Sequence, residues 1–266
     1  MKIVVCVKEV PDMESRFKLD SKNHKILEED LVHKMNIFDE FAVEAALQIK
    51  EGLNDGSEVI IILMGPERAS QTIKKCFAMG GDWGIHLNDP SFDGSDTFVT
   101  ARVLKNVMRD IKPELILTGV QAEDNLQSQV GQSLAELLGY VHSTNITKLI
   151  LNSDKKSLTI NRELENGKEE VLELPLPAIL TIQSGINNPR YPSLPGIMKA
   201  KTKKLEKWGP TNIGMKSDEV GLVGNKRDIV DLFIPESAKV AEMIKGDPKE
   251  AAKKLISILH DKEKVI

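Results

Sequence analysis

Three runs of branched, uncharged side chains constrain this chain more than any other feature: Ile3 to Val7 (IVVCV), Val59 to Met64 (VIIILM) and Leu115 to Thr118 (LILT). None of them alternates apolar with polar. A strand that is apolar at every position has to be covered on both faces, the condition of a parallel sheet flanked by helices. Between the runs lie segments with helical spacing. Phe38, Ala42, Ala45 and Ile49 form one stripe, with Asn36 as its cap and Gly52 as its stop; residues 67–79 follow Gly65-Pro66; Phe98, Ala101, Leu104, Met108 and Ile111 form another stripe that Pro113 ends. A short strand, WGIHL at 83–87, completes the alternation. The fold class is therefore α/β, a Rossmann-like, doubly wound and mostly parallel sheet.

After Tyr140 the pattern changes. Short strands at 148–151, 157–162 and 171–174 are joined by Asp154-Lys155-Lys156 and Asn166-Gly167, which is hairpin patterning, and Ala178 to Ile182 reads as one more strand. A small antiparallel extension of the sheet is expected there, and another hairpin is expected where RFKLD and KILEED flank SKNH at 21–24. Residues 186–210 hold four prolines, and five lysines fall between 199 and 207. By pattern this stretch is neither helix nor strand, and it reads as a surface linker or as an arm that docks on another molecule. Leu194, Ile197 and Met198, apolar in such a context, favour the arm. A weak helix near 238–244 and a stronger one over 248–260, with Ala252, Leu255, Ile256 and Leu259 in a stripe, close the chain. The expected division is residues 1–185 as a nucleotide-binding α/β domain with its hairpin extension, and 186–266 as a C-terminal arm.

The stretch from Leu115 to Gly139 reads as strand, polar loop and helix. The carboxyl ends of parallel strands and the amino ends of the helices that follow present unpaired N–H groups to one crevice, where phosphates bind. Gly119 permits a sharp turn, Asp124 is suited to accept a ribose hydroxyl, and Ser128, Gln129 and Gly131 lie near the first helical turn. An ordinary strand-to-helix connection has the same appearance. Neither GxGxxG nor GxxxxGK is present. The two cysteines, Cys6 and Cys76, have no metal-binding spacing and read as buried thiols. A net charge of −4 in 266 residues, with 29% charged residues of both signs, gives no pull toward nucleic acid. The apolar run near Met1 is too short for a signal peptide, and no run reaches the roughly 20 residues of a membrane span. A soluble, cytoplasmic protein is expected.

Several marks in order carry a resemblance: VVCVKEVPD at 4–12, MNIFDEFAVEAA at 35–46, MGP at 64–66, AMGGDWGIHL at 78–87, GVQAEDNLQSQVGQ at 119–132 and RYPSLPGIMKAK at 190–201. Ile160, Arg162, Glu165, Gly167, Glu170, Leu172, Pro177, Ile179, Leu180 and Thr181 add a further signature, with Asn166 standing where an acid is usual. From residue 2 to about 206 the chain resembles the β subunit of an electron transfer flavoprotein. The resemblance implies an adenine nucleotide held by Cys6, by Asn36, Ile37, Phe38 and Asp39, by Met64, and by the loop with Gly119, Val120, Gln121, Ala122, Asp124, Ser128, Gln129, Val130 and Gly131, much of it through backbone groups. It implies an α subunit as partner. It also implies a recognition loop for a flavin-dependent dehydrogenase acting on an acyl-CoA or a 2-hydroxy acid such as lactate, with Arg190, Tyr191, Leu194, Pro195, Ile197, Met198 and Lys199 at the contact and Leu194 as anchor.

Val10-Pro11-Asp12 and the Asp39 of NIFD resemble the electron-bifurcating kind. That kind holds FAD, takes electrons from NADH and sends them to two acceptors, one of low potential such as ferredoxin. Val120, Asn125, Leu126, Gln127 and Gln132 depart from its loop, and AMP is the alternative ligand. Plain nucleotide-binding modules and adenylating enzymes share the general fold.

Overall fold

The computed structural model describes residues 1–20, 25–234 and 243–266. Its centre is a nine-stranded sheet made of β1 (Lys2–Val7), β2 (Glu58–Met64), β3 (Trp83–Leu87), β4 (Leu115–Gly119), β5 (Val141–Leu151), β6 (Ser157–Glu163), β7 (Glu169–Pro175), β8 (Ala178–Ile182) and β9 (Leu205–Trp208). The strand order is β7-β6-β5-β8-β4-β1-β2-β3-β9. All pairs from β5 to β9 along that order are parallel, while β6 is antiparallel to both β5 and β7. The expected fold class and antiparallel extension are both present, and Asn166 takes the left-handed conformation (φ 62°) that its hairpin turn requires.

Why the runs are apolar at every position is visible in the packing. Ile3, Val5 and Val7 of β1 face one core together with α1 (Ile37–Leu53) and α2 (Ser70–Met79), while Val4 faces a second core with α3 (Thr97–Ile111) and α4 (Val130–Leu138). Apart from Phe98, which is exposed, the helices bury their stripes on opposite faces, so both sets of strand side chains are removed from water. From β1 the chain runs outward through α1, β2, α2 and β3, then returns through α3 to place β4 on the other side of β1. The strand order therefore reverses between β1 and β4, and the carboxyl ends of these two strands border a crevice.

Some local expectations are corrected. Helix α1 runs past Gly52 to Leu53 and ends on Asn54 in the left-handed conformation (φ 43°, ψ 40°). Residues 194–208 are regular: α5 (Leu194–Ala200) starts with Pro195 in its first turn and with Ser193 Oγ accepting from Gly196 N at 3.1 Å, and β9 extends the sheet beside β3. Proline and lysine density concealed both elements. One compact unit spans residues 1–18 and 26–230.

Residues 19–25 and 231–266 form a second unit. There α6 (Pro248–Ser257) is capped by Asp247, whose carboxylate accepts from Lys249 N and Glu250 N, and within this unit Leu255 and Ile256 of its stripe stay exposed. Leu19–Asp20 and Lys25–Ile26 are strands, as expected for the arms of a hairpin; its turn, and most of the expected helix at 238–244, lie outside the described residues. Among the described residues no helix is long and apolar enough to cross a membrane.

Gly84 shows how closely β3 and α2 approach. A Cβ there would lie 2.6 Å from the carbonyl oxygen of Ile61 and 3.2 Å from the Phe77 ring. Gly84→Ala is expected to cost about 1–3 kcal/mol by overpacking, read as a lower denaturant midpoint with an unchanged slope.

Candidate functional site

The site forms where β1 and β4 part. Cys6 lies abreast of Ile62 on one side and Thr118 on the other, so the rim of the sheet consists of Val7, Lys8, Leu63, Met64 and Gly119. Past this level the two strands are joined by one side chain. Lys8 N donates to Asp39 Oδ2 at 2.8 Å, and Gly119 N donates to Asp39 Oδ1 at 2.9 Å. Asp39 belongs to the first turn of α1 and is 4% exposed. A Cβ at position 119 would lie 2.5 Å from Asp39 Oδ1 and 2.7 Å from Phe38 Cβ, so glycine alone lets the start of α1 close on the end of β4. Burial pushes the Asp39 carboxyl up to about 7, against the hydrogen bonds from Lys8, Asn36 and Gly119 and the charge of Lys8, all of which pull it down.

Asn36 does not cap α1 with its side chain. It is buried and turned to the loop instead, donating through Nδ2 to the Gln121 carbonyl at 2.9 Å and accepting at Oδ1 from Glu123 N at 3.1 Å. Glu123 supplies the missing cap, its Oε2 accepting from Ile37 N at 3.0 Å. Asp124, expected near a ribose, pairs with Lys8 at 2.6 Å, and Lys34 lies 3.4 Å from Glu123 and 3.6 Å from Asp12. Lys34 escaped the reading from sequence because its role depends on partners far along the chain.

The loop then turns through two left-handed residues that are not glycine, Leu126 (φ 51°) and Ser128 (φ 50°), before Gln129 (φ −113°, ψ −25°) leads into α4. Such conformations cost roughly 1–3 kcal/mol each and concentrate at binding sites. Left-handed then right-handed backbone turns successive N–H groups toward one concavity, an anion-binding nest. Among the described residues, the N–H groups of Ser128, Gln129, Val130, Gly131 and Gln132 have no acceptor. Ser128 Oγ donates to Gln121 Oε1 at 3.2 Å, and Thr97 Oγ1, a residue not singled out from sequence, donates to Gln129 Oε1 at 2.8 Å. Val120 N is bound to the Ile182 carbonyl, which ties the loop to β8. Gly131 is forced by packing: a Cβ would meet Thr181 Cγ2 at 2.5 Å.

The predicted positions thus meet around one crevice: Cys6 and Met64 half-buried at the rim, Asn36 to Asp39 at the start of α1, and Gly119 to Gly131 opposite. Burial, then the charge of Asp39, pushes the Cys6 thiol far up, so it stays protonated and serves as wall. Among the described residues the crevice presents no paired nucleophile and base. It can bind and orient an anionic ligand.

The segment from Arg190 to Lys199 divides into buried and exposed halves. Arg190 turns inward: Nε donates to Glu44 Oε2 at 2.8 Å, Nη2 to Glu44 Oε1 at 3.0 Å and to Glu51 Oε2 at 3.0 Å. Burial raises the Glu44 carboxyl, and the hydrogen bonds and charge of Arg190 outweigh it, leaving Glu44 below its ordinary range. Helix α5 rests on α2 so closely that a Cβ at Gly196 would lie 2.3 Å from the Ala78 carbonyl. Tyr191, Leu194, Ile197 and Met198 face outward, with Tyr191 95% and Leu194 80% exposed, and Pro195 and Lys199 are exposed beside them.

Comparison with known proteins bears on this arrangement. A family model described as "Electron transfer flavoprotein domain" matches residues 24–212. The chain is 34% identical, over 98% of each chain, to the electron transfer flavoprotein subunit beta of Methylophilus methylotrophus. It is 36% identical to the caffeyl-CoA reductase-Etf complex subunit CarD of Acetobacterium woodii, over 98% of this chain and 99% of the other. It is 31% identical to Protein FixA of Azotobacter vinelandii, over 97% and 94%.

Asp39 gives a pH test. Its native value, about 7, stands above the ordinary 3.8, so between these values the native chain holds a proton that the unfolded chain has lost. This group therefore lowers stability progressively as pH rises from about 4 through about 7, and its effect is level above that. Asp39→Asn has no such proton. Between pH 5 and pH 8 the stability difference should move in the variant's favour by on the order of 2–3 kcal/mol in denaturant titrations; a difference constant with pH would remove Asp39 from the titration.

Proposed function

We propose, for a chain that belongs to the electron transfer flavoprotein family as a β subunit, that the crevice between β1 and β4 holds FAD. In this reading electrons pass from NADH through the subunit toward a partner flavin dehydrogenase and a low-potential acceptor such as ferredoxin. The observation that carries the nucleotide site is the row of uncommitted N–H groups from Ser128 to Gln132, set at the point where the strand order reverses.

FAD bound there supplies hydride acceptance and the release of electrons, and the chain supplies position and electrostatics. Ser128 to Gln132 bind phosphate oxygens through their backbones. Asp124 would accept a ribose hydroxyl while keeping its ion pair with Lys8. Asp39 keeps Lys8 and Gly119 at a fixed separation, so the crevice keeps its width whether or not ligand is bound. Cys6 and Met64 close it off from water. The preference for FAD rests on the likeness of Val10-Pro11-Asp12 and Asp39 to the bifurcating kind. Structural AMP is the alternative, favoured by the departures at Val120, Asn125 to Gln127 and Gln132.

The partners in this reading are the α subunit and a flavin-dependent dehydrogenase. The name of the A. woodii relative, a subunit of a caffeyl-CoA reductase-Etf complex, supports an acyl-CoA substrate for that dehydrogenase over a 2-hydroxy acid. The outward row Tyr191, Leu194, Ile197 and Met198 suits the dehydrogenase contact, with Lys199 as a rim charge that steers encounter. A plain nucleotide-binding module would have no use for such a row.

Acid treatment of the purified heterodimer should release two FAD and no AMP; one FAD and one AMP would replace the bifurcating reading by the structural-AMP one. Leu194→Ala should slow electron delivery to the dehydrogenase at least tenfold, on the scale of a lost apolar anchor. Reduction of the flavin by NADH should be unchanged, and equal loss of both activities would mean that the anchor is not on α5.

A further inference from the structure

Four acids lie around the crevice. Asp12, Asp39, Glu123 and Asp124 surround it, and its two lysines are engaged: Lys8 with Asp124, Lys34 with Glu123 and Asp12. A pyrophosphate or phosphate brought to the Ser128 to Gln132 amides adds negative charge to this surrounding. Backbone N–H groups carry only partial charges, and a full positive charge nearby would strengthen the contact.

It is available from a distant part of the chain. After β9 the backbone crosses to the loop that precedes α3 and is fastened there from Val220 to Lys226. Gly221 N donates to Ser95 Oγ at 3.2 Å, and Asn225 Nδ2 donates to the Gly94 carbonyl at 2.8 Å. Asp96 N donates to Asn225 Oδ1 at 2.7 Å, and Lys226 N to Asp96 Oδ2 at 2.7 Å. The fit leaves no room for side chains: a Cβ at Gly221 would lie 2.3 Å from the Ser91 carbonyl, and one at Gly224 2.4 Å from the Glu219 carbonyl. The next residue is Arg227. Its Nη1 donates to the side-chain oxygen of Gln127, the residue just before the row of free amides. Among the described residues no carboxylate lies within ion-pair distance of Arg227.

We propose that Arg227 is the phosphate-binding cation of the adenine-nucleotide site, carried across the chain by the Val220 to Lys226 strap and held by Gln127 until a phosphate oxygen takes its place. This rests on the nucleotide reading of the crevice given above. A guanidinium exchanging a neutral amide oxygen for a charged phosphate oxygen gains a charge-assisted, geometrically matched bond. Asp96 gives the strap a second consequence. It accepts from Val99 N as the cap of α3 and from Lys226 N at once, so the position of Arg227 is set by the same residue that starts α3.

The test uses the heterodimer freed of its β-site nucleotide, titrated calorimetrically with adenosine, AMP and FAD. Arg227→Gln should weaken AMP and FAD roughly 10- to 100-fold while leaving adenosine unchanged, because only the phosphate contact is lost. Arg227→Lys should recover part of the loss, and the dependence of AMP affinity on salt should be shallower in Arg227→Gln than in the parent. If the parent binds AMP more tightly than adenosine and Arg227→Gln binds AMP equally well, Arg227 is not the phosphate cation and the site reading stands without it. Equal weakening of adenosine, AMP and FAD would make the strap a purely structural element and overturn the assignment. A parent that gains nothing from the phosphate would overturn the nucleotide reading and this inference together.

Discussion

One buried carboxylate holds the working end of this molecule together. β1 and β4 are neighbours in the sheet, but the connections that follow them run to opposite sides, and past Cys6 and Thr118 nothing in the ladder keeps their ends at a set distance. Asp39 does so by accepting from Lys8 N and Gly119 N with its two oxygens. A neutral side chain of the same size has only one acceptor to offer. The cost is a charge taken almost wholly out of water, visible in a carboxyl raised to about 7. A site that must stay open for a ligand cannot be filled with apolar side chains, so its width has to be fixed by directional bonds.

The remaining parts of the site depend on that anchor. Because Asp39 lies in the first turn of α1, the start of the helix is placed against Gly119, and Asn36 and Glu123 can then bond across between the helix start and the loop. The same helix carries Glu44 and Glu51, which hold Arg190 and so set where the outward row on α5 begins. The crevice and the outward-facing segment are thus attached to two ends of one helix, each through its side chains. Arg190, expected at a partner contact, is committed to the protein's own carboxylates, and the apolar residues that follow are what face outward.

Much of this was legible in the amino-acid order. Continuous apolar runs required burial on both faces, hairpin turns at Asp154 to Lys156 and Asn166-Gly167 required an antiparallel flank, and Gly119 with Gly131 marked positions of close approach. The cap assigned to Asn36 was misplaced because capping depends on which acceptor reaches the helix end, and Glu123 arrives there from 86 residues away. Helix α5 and β9 were hidden by proline and lysine content, since each is stabilised by what it packs on, α2 and β3, and not by its own propensity. Arg227 gave no signal at all: an isolated arginine acquires meaning only when the strap before it is seen fastened to Ser95, Gly94 and Asp96.

What the sequence determined by itself is the layered α/β architecture, the polar loop between β4 and α4 and the family to which these motifs point. These follow from side-chain periodicity and turn chemistry, which are properties of neighbours along the chain. The tertiary structure alone decided which acids and bases neutralise one another, which amides remain free, and which arginine reaches the loop. Those are pairings between residues far apart in the chain, and in a medium where charge is costly to bury each pairing is settled only when folding brings the partners within a few ångströms.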